Sequence, residues 1–429
     1  MMRRLRDSGI KWIGEIPENW RIESIGRHFE NRNEKVSDYD YAPLSVTKSG
    51  VVPQLDEVAK SNAHEDRKLV RRGDFVINSR SDRKQSCGLS SYDGSVSLIN
   101  LVLVPHGEID SLYSSYLFNN YGFAEEFYRW GTGIVADLWS TKWDLMRRIN
   151  VPVPPIAEQK KIADFLDGKC AEIDELVQTE EKMIEELKAY KQSVITEAVT
   201  KGLDPSAPMK DSGIEWIGKI PECWEIMTLK SLFDFGKGLP ITKEDLRVSG
   251  EKVISYGQIH AKFNISTRIV DDMYRFVDSV YVDSHSNSIV KVGDFIFADT
   301  SEDLSGVGDF VYINDNDVIF AGYHSIILKS RMTTSNKYLA YLFLSDCWRS
   351  QLRSRVSGIK VFSISKNILS RVTVLFPSDS EQQKIADYLD DKCAKIDEMI
   401  AIRNEQIYQL KDYKKSLIYE YVTGKKEVV

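Results

Sequence analysis

Asp7-Ser8-Gly9-Ile10-Lys11-Trp12-Ile13-Gly14-Glu15-Ile16-Pro17-Glu18-Asn19-Trp20 returns as Asp211-Ser212-Gly213-Ile214-Glu215-Trp216-Ile217-Gly218-Lys219-Ile220-Pro221-Glu222-Cys223-Trp224. A second phrase, Glu158-Gln159-Lys160-Lys161-Ile162-Ala163-Asp164-Phe165-Leu166-Asp167, returns at a wider offset as Glu381-Gln382-Gln383-Lys384-Ile385-Ala386-Asp387-Tyr388-Leu389-Asp390. The material between the phrases is therefore not a copy: two frames match and two fillings differ. The 429 residues divide into two repeat units, roughly 7–203 and 211–426, each long enough to bury its own core.

Composition is that of ordinary soluble protein, 42% apolar and 28% charged. No apolar run approaches the ~18 residues that would span a bilayer. The basic start, Met1-Met2-Arg3-Arg4-Leu5-Arg6, has no apolar stretch after it, so no signal peptide is expected. Five cysteines are odd in number and far apart. Neither a disulfide framework nor a zinc site is supported, and a reducing cytoplasm is the expected compartment. Cys170 and Cys393 occupy equivalent places on helix seams, where cysteine behaves as a small apolar residue. The net charge of −7 is carried largely by 154–203 and 377–429. The two fillings are close to neutral and could each carry a basic face.

From Glu158 to Lys201 the chain has no Pro, and no Gly except Gly168. Apolar residues recur at heptad spacing through Leu166, Ile173, Glu180, Leu187 and Val194, and through Cys170, Val177, Ile184, Lys191 and Ala198. That is a coiled-coil seam with polar interruptions, on a rod of roughly 65 Å. The second copy runs Leu389, Ile396, Arg403, Leu410 and Leu417 beside Cys393, Ile400, Ile407, Lys414 and Tyr421. Two like helices related by a pseudo-two-fold that crosses them pack antiparallel. Glu180 and Arg403 are equivalent and opposite in charge, so the expectation is that they meet and fix the register. Helix packing is thus assigned to Leu166, Ile173, Val177, Glu180, Ile184, Leu187, Leu389, Ile396, Ile400, Arg403, Ile407 and Leu410. Lys201-Gly202-Leu203-Asp204-Pro205 stops the first helix.

Strand-like runs dominate the fillings: 74–79, 97–104 and 149–153 in the first, 294–298, 309–313 and 325–328 in the second. Helical patterns follow near 111–129 and 336–354. Gly73-Asp74 and Gly293-Asp294 each open a strand, which makes each filling a small α+β domain. The loop after that strand differs sharply. Ser79-Arg80-Ser81-Asp82-Arg83-Lys84-Gln85-Ser86 is rich in long donors that suit guanine or phosphate. Asp299-Thr300-Ser301-Glu302-Asp303-Leu304-Ser305-Gly306 offers hydroxyls and carboxylates that suit cytosine amino groups. Basic stretches at 67–84 and 349–371 add candidate phosphate contacts, including Arg67, Lys68, Arg349 and Arg353. The candidate DNA-contacting residues are Lys48, Arg80, Arg83, Lys84 and Gln85 in the first filling. In the second they are Gln258, His260, Lys262, Thr300, Ser301, Arg355, Lys360 and Lys366.

The repeated Asp-Ser-Gly-Ile-x-Trp-Ile-Gly-x-Ile-Pro-x-x-Trp phrase, the two Glu-Gln-x-Lys-Ile-Ala-Asp-x-Leu-Asp helix starts and the two-unit layout resemble the specificity subunit of type I restriction–modification enzymes. The resemblance spans nearly the whole chain; the fillings match only in strand order and the Gly-Asp pairs. It implies an α+β architecture of two globular target recognition domains joined by two long antiparallel coiled-coil helices, a pseudo-two-fold internal repeat. On this reading 1–153 is the first recognition domain with its frame segment, and 154–203 the first spacer helix. Residues 204–376 are the linker, frame and second recognition domain, and 377–429 the second spacer helix. The implied partners are double-stranded DNA, two modification (methyltransferase) subunits and restriction (motor-nuclease) subunits, and no membrane. The implied target is two unlike half-sites around unspecified bases, near a helical turn apart, ~34–36 Å. The chain itself needs no cofactor or metal: S-adenosylmethionine and ATP with Mg belong to partner subunits.

The residues support a noncatalytic role independently. There is no GxxxxGK[ST] loop and no GxGxxG after a strand. There is also no Asn-Pro-Pro-aromatic or Asp-Pro-Pro-Tyr motif for a flipped adenine. Two other classes remain open at this stage: a DNA-modifying enzyme with its own activity, and a helical scaffold without nucleic acid.

Overall fold

A computed structural model describes residues 4–54, 64–134, 139–215, 217–332, 336–358 and 360–428. Trp216 of the second frame phrase and residues 1–3 of the basic start lie outside them. The chain forms two compact units: Met1–Glu181 with Arg403–Val429, and Lys182–Ile402.

In the first unit, a four-stranded antiparallel sheet runs in the order Cys87–Leu89, Phe75–Asn78, Asn100–Pro105, Phe29–Asn31. A three-stranded sheet (Gly94–Ser97, Arg67–Val70, Lys35–Val36) and the hairpin Leu44–Thr47/Gly50–Pro53 lie beside it in the sequence. The run 97–104 is not one strand. Leu98 and Ile99 are exposed in a turn, and the Asn100 side chain closes it by donating to the Ser97 carbonyl at 3.1 Å. The helical stretch 111–129 is two helices, Ser111–Asn119 and Tyr121–Arg129. Asn120 sits between them in extended backbone and caps the second by accepting from the Phe123 amide, the role its short polar side chain favours.

The second unit repeats this plan. Its sheet runs Phe233–Lys237, Ser325–Ser330, Phe295–Ala298, Phe310–Tyr312, again antiparallel throughout. Helices Lys337–Leu344 and Asp346–Arg353 break at Ser345. Phe233, Phe295, Phe297, Phe343 and Trp348 pack with ring centroids 4.3–6.4 Å apart where they touch and are essentially buried.

The frame phrase makes the same small structure in both units. Gly9 and Gly14, like Gly213 and Gly218, take φ of 69–72°, where a side chain is disfavoured. Asp7 Oδ1 accepts from the Gly9 amide and Asp211 Oδ1 from the Gly213 amide, both at 2.9 Å. The Ser8 and Ser212 hydroxyls accept from Ile10 and Ile214, both at 3.1 Å. Trp20 and Trp224 are buried.

The two long helices are Ile156–Lys201 and Asp379–Val422. Each contributes one segment to each unit, and within both units the segments run antiparallel. In the first unit Lys414 pairs with Asp174 at 2.7 Å, Arg403 with Glu180 at 2.6 Å, and the Phe165 ring packs at a tilt against Tyr421. In the second unit Lys191 pairs with Asp397 at 2.7 Å. Lys191–Asp397 and Lys414–Asp174 are equivalent in the register that aligns Glu158 with Glu381. The polar interruptions of the heptad are therefore salt links between the helices. Leu166, Ile173, Val177, Ile184, Leu389, Ile396 and Ile407 are buried, with Cys170 and Cys393. Leu187, Ile400 and Leu410 are half-buried. No described helix is long and apolar enough to cross a membrane.

Candidate nucleic-acid interface

Both candidate loops leave the same strand of equivalent sheets, and the turn before that strand explains the Gly-Asp pair. Gly73 and Gly293 hold φ of 93° and 94°. Asp74 accepts from the Arg71 amide and Asp294 from the Lys291 amide, both at 2.8 Å. Burial pushes the Asp294 carboxyl up, against the pull of the Ser330 and Lys291 amides. The turn launches the strand, and the strand ends at the loop.

Each loop is then held by a short bridging segment from near the end of its filling. In the first unit Arg80 bridges Ser140, Ser81 donates its amide to the Trp139 carbonyl and Thr141 to the Ser79 carbonyl, both at 3.0 Å. In the second, Thr300–Ser301 pairs with Phe362–Ser363, and the Ile364 amide donates to the Asp299 carbonyl at 2.8 Å. Arg80 and Thr300 occupy matching places, so the two units present unlike chemistry from one scaffold position.

The first loop continues as a 3-10 turn, Ser81–Arg83, then Lys84 and Gln85. Gln85 has φ of 61°, a left-handed conformation unusual for its type. Arg83 is exposed beside Asp82, Arg80 faces Asp82 at 3.4 Å, and Lys84 pairs with Glu125 at 2.9 Å. Gly88 lets the hairpin tip approach, since a Cβ there would lie 2.8 Å from the Gly50 Cα. That approach brings exposed Lys48 to the loop: Lys48 and Gln85 line one polar cavity of about 750 Å³. Ser81 and Lys84 face a second, of about 1230 Å³, walled by Trp12, Tyr121, Trp130 and Trp139 with Arg129 and Arg148. The aromatic wall had no signal in the sequence, because its residues come from three separate segments.

In the second unit, Gln258 belongs to the helical turn Tyr256–Ile259, where its side chain closes a capping box with Ser255. Thr300 is half-buried, and buried Ser301 donates its hydroxyl to the Asp303 carbonyl at 2.7 Å. His260 engages both ring nitrogens, with Asp309 and with the Thr300 carbonyl, both at 2.8 Å. Ser301 and His260 thus support the loop from within, while Glu302, Asp303, Leu304 and Ser305 are its exposed members. Lys262 and Lys360 are exposed. Arg355 donates to the Arg371 carbonyl at 3.2 Å and Lys366 to the Phe235 carbonyl at 3.3 Å. Burial, and then the charge of Lys237, lowers the Lys366 ammonium. Missed by sequence reading were Asp309, joined to Arg349 at 2.6 Å, and His324, which holds φ of 51° beside Asp299.

Four residues of the two basic stretches are not surface cations. Arg67 and Lys68 are buried, donating to Ser95 and to the Asn100 carbonyl. Arg349 is committed to Asp309 and Arg353 to Asp346. A one-dimensional count of charge does not distinguish a strand's inner face from its outer one.

Residues 221–423 match the family described as type I restriction modification DNA specificity domain. The chain is 26% identical over 427 residues to the type I restriction enzyme MjaVIII specificity subunit of Methanocaldococcus jannaschii, covering 96% of this chain and 93% of that protein. It is 23% identical to the type I restriction enzyme EcoKI specificity subunit of Escherichia coli, covering 96% and 90%. Among solved structures, a chain from a study of complex assembly and conformational transition of the type I R-M system superposes with a TM-score of 0.70 at 15% identity, covering 95% of this chain and 98% of that one. The HsdS subunit of Thermoanaerobacter tengcongensis superposes at 0.53 and 16% identity, covering 98% and 100%. With its twice-used frame and its paired helices, the chain is thus similar over nearly its whole length to specificity subunits of type I restriction–modification systems, and its second half matches their DNA specificity domain.

Proposed function

We propose that this chain reads a bipartite DNA target in the cytoplasm, one half-site per recognition domain. On this reading it directs adenine N6 methylation and restriction by partner subunits that carry S-adenosylmethionine, ATP and Mg. One observation carries the proposal: a loop leaves the same strand of equivalent sheets in both units, yet is cationic at Arg80–Gln85 and acidic-hydroxylic at Asp299–Ser305. Identical support with unlike surface chemistry is what two unlike half-sites require. Lys48, Arg83 and Lys84 offer donors to phosphate or guanine in the first domain. Lys262 and Lys360 offer phosphate contacts in the second, and Glu302 and Asp303 offer acceptors to cytosine amino groups.

The test is a map of N6-methyladenine across the host genome with and without this gene. A split motif that disappears on deletion supports the reading. A methylome unchanged by deletion, in cells where the partner subunits are expressed, overturns it.

A further inference from the structure

His260 has no solvent-facing nitrogen to spare. Its Nδ1 lies 2.8 Å from Asp309 Oδ2, and its Nε2 lies 2.8 Å from the Thr300 carbonyl oxygen. The carbonyl can only accept. The other oxygen of the Asp309 carboxylate accepts from Arg349 Nη1 at 2.6 Å, so this group too only accepts. A neutral imidazole has one N–H and would set a lone pair against one of these oxygens. Only the doubly protonated ring satisfies both.

The surroundings agree. Tyr256, from the same short helix, packs its ring edge-on at 4.7 Å. The loop supplies the charge of Asp303, whose carboxylate accepts from the Ser305 hydroxyl and the Gly306 amide. Glu302 and Asp299 lie near enough to act on Tyr256, and Asp299 faces His324 at 3.3 Å. From the helix Asp346–Arg353 come Arg349 and Arg353, the latter donating to the Ser305 carbonyl at 3.3 Å. Burial pushes the imidazolium down, but the Asp309 and Thr300 hydrogen bonds and the charges of Asp309 and Asp303 outweigh it. His260 therefore titrates above its ordinary range. Gly306 completes the contact, since a Cβ there would lie 2.6 Å from the Ser301 hydroxyl and 3.2 Å from His260 Nδ1.

We propose that His260 is a positioning residue, an imidazolium that ties the Asp299–Gly306 loop to Asp309, so that the second recognition domain reads its half-site with a pH-gated fidelity. The proposal rests on the reading of the chain as a two-part DNA reader. The sign is fixed by linkage. Because the folded protein binds this proton more tightly than the unfolded chain, the tie is complete below the ordinary histidine range. It is lost as pH rises through the raised value.

The test uses the chain assembled with its modification subunits and S-adenosylmethionine, and duplexes bearing the mapped target or single-base changes in either half. Discrimination is measured from about pH 6.5 to 9. Wild type should lose about tenfold in discrimination at the half read by residues 225–376 as pH rises, with the other half unmoved. His260→Gln should show that relaxed behaviour at every pH. Histidine 15N resonances of the wild-type chain, with His260 assigned by its loss in the variant, should report both ring nitrogens protonated at pH 7. A neutral His260 at pH 7, or a pH profile equal in both halves or unchanged by His260→Gln, overturns the inference and leaves the DNA-reading function intact. Wild-type complex that methylates no duplex at any pH overturns the underlying function instead.

Discussion

Gly73 and Gly293 show how a single atom decides a domain. Each holds φ above 90° so that the following aspartate can fold back and cap its own turn. Gly293→Ala should cost about 1–3 kcal/mol, read as a lower midpoint in urea unfolding at unchanged slope. Asp294 should lose its contact with Lys291. An unchanged midpoint would mean the turn tolerates a side chain. This residue pair was legible in the sequence because it occurs twice against a background that does not repeat. His260 was legible as a polar residue in an informative place, but the partners of its ring were not. Its partners Asp309 and Arg349 lie far away along the chain, and no spacing rule links them. Arg67 and Lys68 were misread for the converse reason: adjacent cations on a strand look solvated until the second layer that buries them is known.

At the scale of elements, the helices were the most readable part. Their heptads place Leu166, Ile173, Ile396 and Leu389 in the seam, and the polar interruptions proved to be partners: Glu180 with Arg403, Asp174 with Lys414, Asp397 with Lys191. Glu180 and Arg403 retain only a fifth to a quarter of their side-chain exposure (20% and 25%). Breaking this pair by Glu180→Arg alone should destabilise by about 1–2 kcal/mol. The double exchange Glu180→Arg with Arg403→Glu should recover most of that loss in a double-mutant cycle. A double variant no more stable than either single would exclude a register role. The short strands were less readable than the helices. Leu98-Ile99 reads as the middle of a strand, yet it is a turn, because Asn100 hydrogen-bonds back across it.

For the whole molecule, the repeat carried the argument. Topology is shared where identity is not: the antiparallel four-stranded sheets match strand for strand, while the loops they support diverge. Recognition should therefore be modular. Exchanging residues 225–376 for the same region of a relative with another target should change one half of the methylated motif and preserve the other. Sequencing of modified bases reads this directly, and a change in both halves would exclude independent domains. The target bases themselves were never legible, since base choice depends on where a few loop atoms sit to within a hydrogen bond's reach.

Each unit is closed by the end of a long helix, and in the first unit that end comes last in the chain. Tyr113 donates to the Val422 carbonyl, Tyr419 to the Trp12 carbonyl, and Lys425 to the Ile13 and Glu15 carbonyls. During translation, then, the earliest-made globule has to wait. Lys182–Ile402 is synthesised before the helix end that seals Met1–Glu181. The first unit therefore departs from the usual N-terminal-first order of assembly, and a truncation that removes Tyr419–Lys425 should loosen the unit that holds Trp12 and Tyr113.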